Sequence, residues 1–146
     1  MLKDLLAREH RLFVFGSKEG FNRTLFHIKM CELLNEHFGD NIPVTERILD
    51  ISFACTDGRH GVDQYMQEWA RYYGFHCEVF PIEWDKYKSP NQGNPAAFKK
   101  AAEIANYVNL GAGFWNGNSK EVPAINDILV DKDIDFITIT VRKENG

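Results

Sequence analysis

The chain has 146 residues, 44% of them hydrophobic, with a formal net charge of −4. That length suits one domain, and the 11 Phe and 3 Trp supply a core, which excludes a disordered or fibrous chain. The 17 Lys and Arg are scattered without a basic stripe, so nucleic acid is not expected as the main partner.

No stretch approaches the roughly 18 uninterrupted apolar residues of a membrane span. The opening MLKDLLAREH mixes charges too early for a signal peptide. A cytoplasmic protein with no membrane partner is therefore expected. Cys31, Cys55 and Cys77 are odd in number, show no CxxC spacing and lie inside apolar segments. They read as reduced thiols in a cytosolic protein, with no metal site.

In chain order, Leu2 to Glu9 reads as a helical extension (within residues 1–10) ahead of the domain. Arg11–Gly16 (RLFVFG) reads as a buried strand ending in glycine. Thr24 to His37, with Leu25, Ile28, Leu33 and Leu34 among polar residues, suits a helix stopped at Gly39. Ile48–Thr56 is rich in β-formers and predicts the second strand. Gly61 to Tyr73 is the cleanest amphipathic helix, with Val62, Tyr65, Met66, Trp69, Ala70 and Tyr73 on one face and Gly74 as its stop. Phe75–Ile82 is a third strand and Glu83 to Asn94 a long loop. Asn94–Pro95 opens a helix running to about Ala105. Tyr107–Trp115 (YVNLGAGFW) is a fourth strand weakened by glycine, Pro123 to Val130 a short helix, and Ile134–Val141 the last strand.

Strands alternating with helices predict a three-layer, doubly wound Rossmann-like domain with a mainly parallel sheet of about five strands. Residues 1–146 form a single domain in this reading. Ligands of such sheets bind beyond the carboxyl ends of the strands. Four loops lie there: Gly16 to Gly20, Asp57 to Gly61, Glu83 to Asn94, and Asn116 to Ser119. Each contains a glycine, which lets backbone approach a ligand, and helix N-termini supply free N–H groups. Ser17, Lys18, Arg59 and Ser119 add donors. Asp63 either orients a ribose hydroxyl or complements its helix dipole. Trp84 and Tyr87 either stack on a base or cover the sheet edge. His60 is a solvated loop histidine or a proton shuttle.

Taken together, GSK, TDGRHGVDQYMQEWARYYG, VFPIEWDKY and FWNGNS resemble the SLOG superfamily, the Rossmann-like group that includes the LOG phosphoribohydrolases and the DprA/SMF proteins. The pattern is most similar to the small stand-alone YspA/YpsA-like branch and spans residues 11 to about 140. A phage or bacterial origin fits such a family. The resemblance implies binding of a nucleotide or nucleotide-derived ligand, with Gly16, Ser17, Lys18, Gly58, Gly61, Asp63, Trp84, Gly117 and Ser119 as binding positions. Arg59 joins them as a donor. Several family positions differ: Lys18 stands for arginine, Asp57 for glycine, Ala96–Ala97 for an Arg–Asn pair, and Glu121–Val122 for Gly–Thr. The LOG pattern PGGxGTxxE is absent. The expected function is therefore sensing or sequestration of a nucleotide derivative. The alternative is a nucleotide N-glycosidase with Glu121 or Asp63 as catalytic carboxylate. A third reading is an interaction module with a degenerate site. No cofactor is expected beyond the nucleotide-like ligand, and a homodimer is the assembly that relatives and general frequency favour.

Overall fold

The structure is a computed structural model that describes residues 2–17, 19–39, 42–58, 61–82 and 95–140. Its strands are β1 (His10–Gly16), β2 (Ile51–Thr56), β3 (Cys77–Phe80), β4 (Leu110–Trp115) and β5 (Asp135–Thr140). Its helices are α1 (Leu2–Leu6), α2 (Arg23–Phe38), α3 (Val62–Tyr73), α4 (Pro95–Ile104) and α5 (Glu121–Asp131). The strands form one sheet in the order β3-β2-β1-β4-β5, and every adjacent pair is parallel.

Alternation along β1 explains the layers. Leu12 and Val14 join a core with α2 and α3, while Phe13 and Phe15 join a second core with α1, α4 and α5. A strand buried on both faces has side chains pointing alternately into each. The expected three-layer, Rossmann-like α/β architecture is present.

The amphipathic pattern of α3 holds: Val62, Met66, Trp69 and Ala70 are buried. Gly74 closes the helix in the left-handed region, at φ 84°, with its N–H bonded to the Ala70 carbonyl. In α2 the buried stripe differs from the sequence expectation. Phe26, Met30, Leu33 and Leu34 face the core, whereas Ile28 is exposed and Leu25 only half-buried. The larger Phe26 sets the rotation of the helix by packing on Phe114, with ring centroids 4.8 Å apart.

Strand ends are shorter than the sequence suggests. Val44–Arg47 forms a 3-10 turn and Ile48–Asp50 a further turn, so β2 starts at Ile51. The α1 helix docks on the sheet through fully buried Leu5, whose carbonyl accepts the Ser52 hydroxyl at 2.9 Å. The glycines of β4 serve packing: a Cβ on Gly113 would meet the Phe15 ring at 2.8 Å, and one on Gly111 would strike Leu129. At the sheet edge, β5 alternates between exposed and half-buried residues, so it is not enclosed as β1 and β2 are.

Candidate functional site at the strand switch point

The chain moves outward from β1 to β2 to β3, then returns across the sheet to β4 and β5. The direction reverses between β1 and β4, and the crevice outside their carboxyl ends is where such folds bind ligands. The sequence brings two of its glycine loops to this point.

Gly16 ends β1 opposite Phe114 of β4. A Cβ there would lie 2.7 Å from the Phe114 carbonyl oxygen and 2.7 Å from Cγ2 of Val62, the first residue of α3. Only glycine lets β1, β4 and the start of α3 converge. Ser17 follows and is completely buried. Its N–H donates to the Phe114 carbonyl at 2.9 Å, and its hydroxyl accepts the Asn116 N–H at 3.1 Å. The first and fourth loops are thus joined through Ser17.

Asn116 completes that junction. Its side-chain amide donates to the Glu19 carbonyl at 3.2 Å. Its side-chain oxygen accepts the N–H groups of Asn118 and Ser119, at 2.9 and 2.8 Å, an Asx turn that shapes the fourth loop. Gly117, inside that turn, has φ 88° and nothing within 4 Å of where a Cβ would stand, so the loop presents open space. The Trp115 indole N–H donates to the Ser119 carbonyl at 2.8 Å, bracing the loop from below. The Ser119 hydroxyl accepts the Glu121 N–H at 3.3 Å, at the start of α5. That helix begins two residues earlier than its sequence pattern suggests, and Pro123 falls in its first turn, where no intrahelical N–H is needed.

The second loop forms a neighbouring cluster. The Thr56 hydroxyl, at the end of β2, donates to the Asp63 carboxylate at 2.7 Å. Gly58 packs so closely on Asp63 that a Cβ would strike the carboxylate. The Gln67 amide donates to the Thr56 and Gly58 carbonyls, both at 3.3 Å, which pins this loop to α3. Gly61 precedes α3 with φ 67° and ψ −144°, a backbone geometry that excludes β-branched residues. The Asp57 carboxylate accepts the Ile82 N–H at 3.1 Å and ties this loop to the segment after β3.

Gly16 and Ser17 therefore stand at the carboxyl end of β1, and Gly117, Ser119 and Glu121 follow that of β4. Gly58, Gly61 and Asp63 stand beside β2, linked to the crevice by the contact of Gly16 with Val62. Lys18, Arg59, His60, Trp84 and Tyr87 lie outside the described residues. Sequence reasoning missed Asn116, Thr56 and Gln67 as organising side chains. An Asn-Gly-Asn-Ser run after a strand is a local turn signal, whereas the partners of Thr56 and Gln67 follow only from the packing of α3.

Among the described residues, no group of three or more His, Cys, Asp or Glu is placed to hold a metal ion. No helix among them is long and apolar enough to cross a membrane. Comparison with protein-family models, curated proteins and solved structures returns no match.

Proposed function

We propose that the protein binds a nucleotide or nucleotide-derived small molecule in the β1/β4 crevice, and that it senses or sequesters this ligand as a SLOG-type protein. The supporting observation is the Ser17–Asn116 junction. It fixes two glycine-bearing loops on either side of the switch point while Gly117 leaves space above them. The start of α5 brings the positive end of its helix dipole there, which favours a phosphate with few basic side chains. By sequence, Lys18 belongs to the first of these loops and Arg59 to the neighbouring second loop, and both add cationic donors. The site fits a cytoplasmic small-molecule binder, as a monomer or a homodimer.

Mass spectrometry of small molecules released from the purified protein tests this reading, followed by calorimetry with whatever is identified. A retained nucleotide derivative whose affinity falls on Ser17 or Gly61 substitution is expected. No retained molecule, and no binding across a nucleotide panel, would overturn it.

A second reading is favoured by the fixed orientation of Asp63. A carboxylate held by the Thr56 hydroxyl at a site edge suits a nucleotide N-glycosidase, polarising a ribose hydroxyl or activating water. Glu121 at the start of α5 is the other carboxylate available for that chemistry. Release of free base from added nucleotides, lost in Asp63→Asn, would favour the enzyme over the binder.

A further inference from the structure

The parallel pairing of β2 with β3 sets Phe53 opposite Cys77 and Cys55 opposite Val79. Cys55 and Cys77 therefore lie diagonally on one face of the sheet, both packed in the core beneath α3. Their sulfurs are 3.6 Å apart, in van der Waals contact. Cys55 is completely buried, while Cys77, on the edge strand, is half-buried.

Diagonal same-face neighbours on adjacent strands stand farther apart at Cα than directly opposite residues. A disulfide wants about 4.4–6.8 Å there and about 2.05 Å between sulfurs. The two side chains already converge, and the remaining closure falls on β3. That strand is at the edge of the sheet, has four residues, and pairs only with β2 among the described residues. An edge strand is hydrogen-bonded on one side only, so it has fewer ladder bonds to disturb than a central one.

We propose that Cys55 and Cys77 are a dithiol–disulfide pair, oxidised reversibly by small hydroperoxides. The half-buried Cys77 reacts first. Its thiolate attacks the terminal oxygen of the hydroperoxide, the O–O bond breaks, and the alcohol (or water) leaves after taking up a proton. Cys77 is then a sulfenic acid. The Cys55 sulfur attacks the Cys77 sulfur, hydroxide leaves and takes up the Cys55 proton as water, and the S–S bond forms. Two thiols lose two electrons and two protons; one hydroperoxide becomes one alcohol and one water. Contact with the Cys77 sulfur, then burial, push the Cys55 thiol well above its ordinary range, which disfavours Cys55 as the thiol that meets the peroxide first.

Both strands lead directly into the candidate site. Thr56, which holds Asp63, follows Cys55, and Asp57 accepts the N–H of Ile82 beyond β3. A Cys55–Cys77 bond would therefore cross-link the two strands that carry this loop. The oxidation chemistry itself does not depend on the proposed function.

The test uses the full chain, treated with hydrogen peroxide under native conditions. The protein is then denatured without reductant, alkylated with N-ethylmaleimide and digested with trypsin. The sequence separates the thiols, with Cys31 in residues 30–47, Cys55 in 48–59 and Cys77 in 72–86. Expected is a linked 48–59/72–86 species, two hydrogens lighter than the sum, formed before Cys31 is lost and reversed by dithiothreitol. In Cys55→Ser, Cys77 should stop at a sulfenic acid that dimedone traps. Recovery of Cys55 and Cys77 as separate alkylated peptides after Cys31 has been oxidised would overturn the proposal. So would linkage of either to Cys31, or a linked species that forms only once circular dichroism shows unfolding.

Discussion

The Asn116 N–H donates to the hydroxyl of Ser17 at 3.1 Å, joining positions 99 residues apart in the chain. Ser17 is completely buried and Asn116 half-buried, and the bond sits where β1 and β4 part. Ser17→Ala leaves the Asn116 N–H without this acceptor. The expected cost is about 0.5–1.5 kcal/mol, the net contribution of one ordinary hydrogen bond, measured by urea denaturation. Affinity for an identified ligand should fall further than stability predicts, because the same bond positions the fourth loop. Unchanged stability in Ser17→Ala would remove this bond from the account.

The glycines of the crevice separate two physical roles. Gly16→Ala forces a Cβ against the Phe114 carbonyl and Val62, both 2.7 Å away. Backbone cannot yield cheaply, so a loss of about 1–3 kcal/mol is expected. Gly117→Ala meets no atom within 4 Å and carries only the strain of φ 88°, about 1–2 kcal/mol. The added methyl then intrudes on the open space, so ligand affinity should drop more in Gly117→Ala than its stability does. Gly61→Val should abolish binding through the second loop. Undiminished affinity in a folded Gly61→Val protein, read by calorimetry, would exclude that loop from the site.

Arg47 shows what a local pattern does not reveal. It is 4% exposed, and its guanidinium donates to the carbonyls of Phe38 and Gly39 at the end of α2. Those carbonyls carry the negative end of the helix dipole. Arg47→Met should cost about 1.5–3 kcal/mol, the range for hydrogen bonds to a charged group, with Arg47→Lys rescuing it only in part. Thermal denaturation followed by circular dichroism reads both.

Elements with strong periodicity or local punctuation were legible in the sequence. The α3 stripe and its Gly74 cap are local, and the order of strands and helices forced a parallel, layered sheet. The rotation of α2 was not legible, because Phe26 was chosen by Phe114, a residue distant in sequence. The glycines of β4 read as weakness, yet they are where the Phe15 ring and Leu129 rest. The candidate loops were legible as glycine-bearing strand ends. Asn116 was passed over because its bonds to Ser17 and Glu19 cross the sheet.

The charge distribution separates a small-molecule binder from a DNA-processing protein. With net charge −4 and its basic residues scattered, the chain should bind single-stranded DNA at most weakly, and salt should remove that binding. Fluorescence anisotropy with a labelled oligonucleotide, titrated with salt, checks this. Tight binding that survives physiological salt would overturn the small-molecule reading.

Glu121 decides between charge selection and catalysis at the fourth loop. It is the first residue of α5, and its N–H is accepted by the Ser119 hydroxyl. A carboxylate there complements the helix dipole, worth about 0.3–1 kcal/mol, so Glu121→Gln should destabilise the fold only slightly. The same charge opposes a phosphate dianion approaching the start of the helix. Glu121→Gly should therefore strengthen binding of a nucleoside monophosphate while leaving the parent nucleoside almost unaffected, and the difference should shrink as salt rises. Calorimetry with both ligands at two salt concentrations measures this. If Glu121 instead activates water, the native protein releases free base from nucleotides and Glu121→Gln abolishes release while binding persists. Its place in the first turn, beside the Ser119 hydroxyl, favours charge selection, and robust base release lost in Glu121→Gln would reverse that assignment.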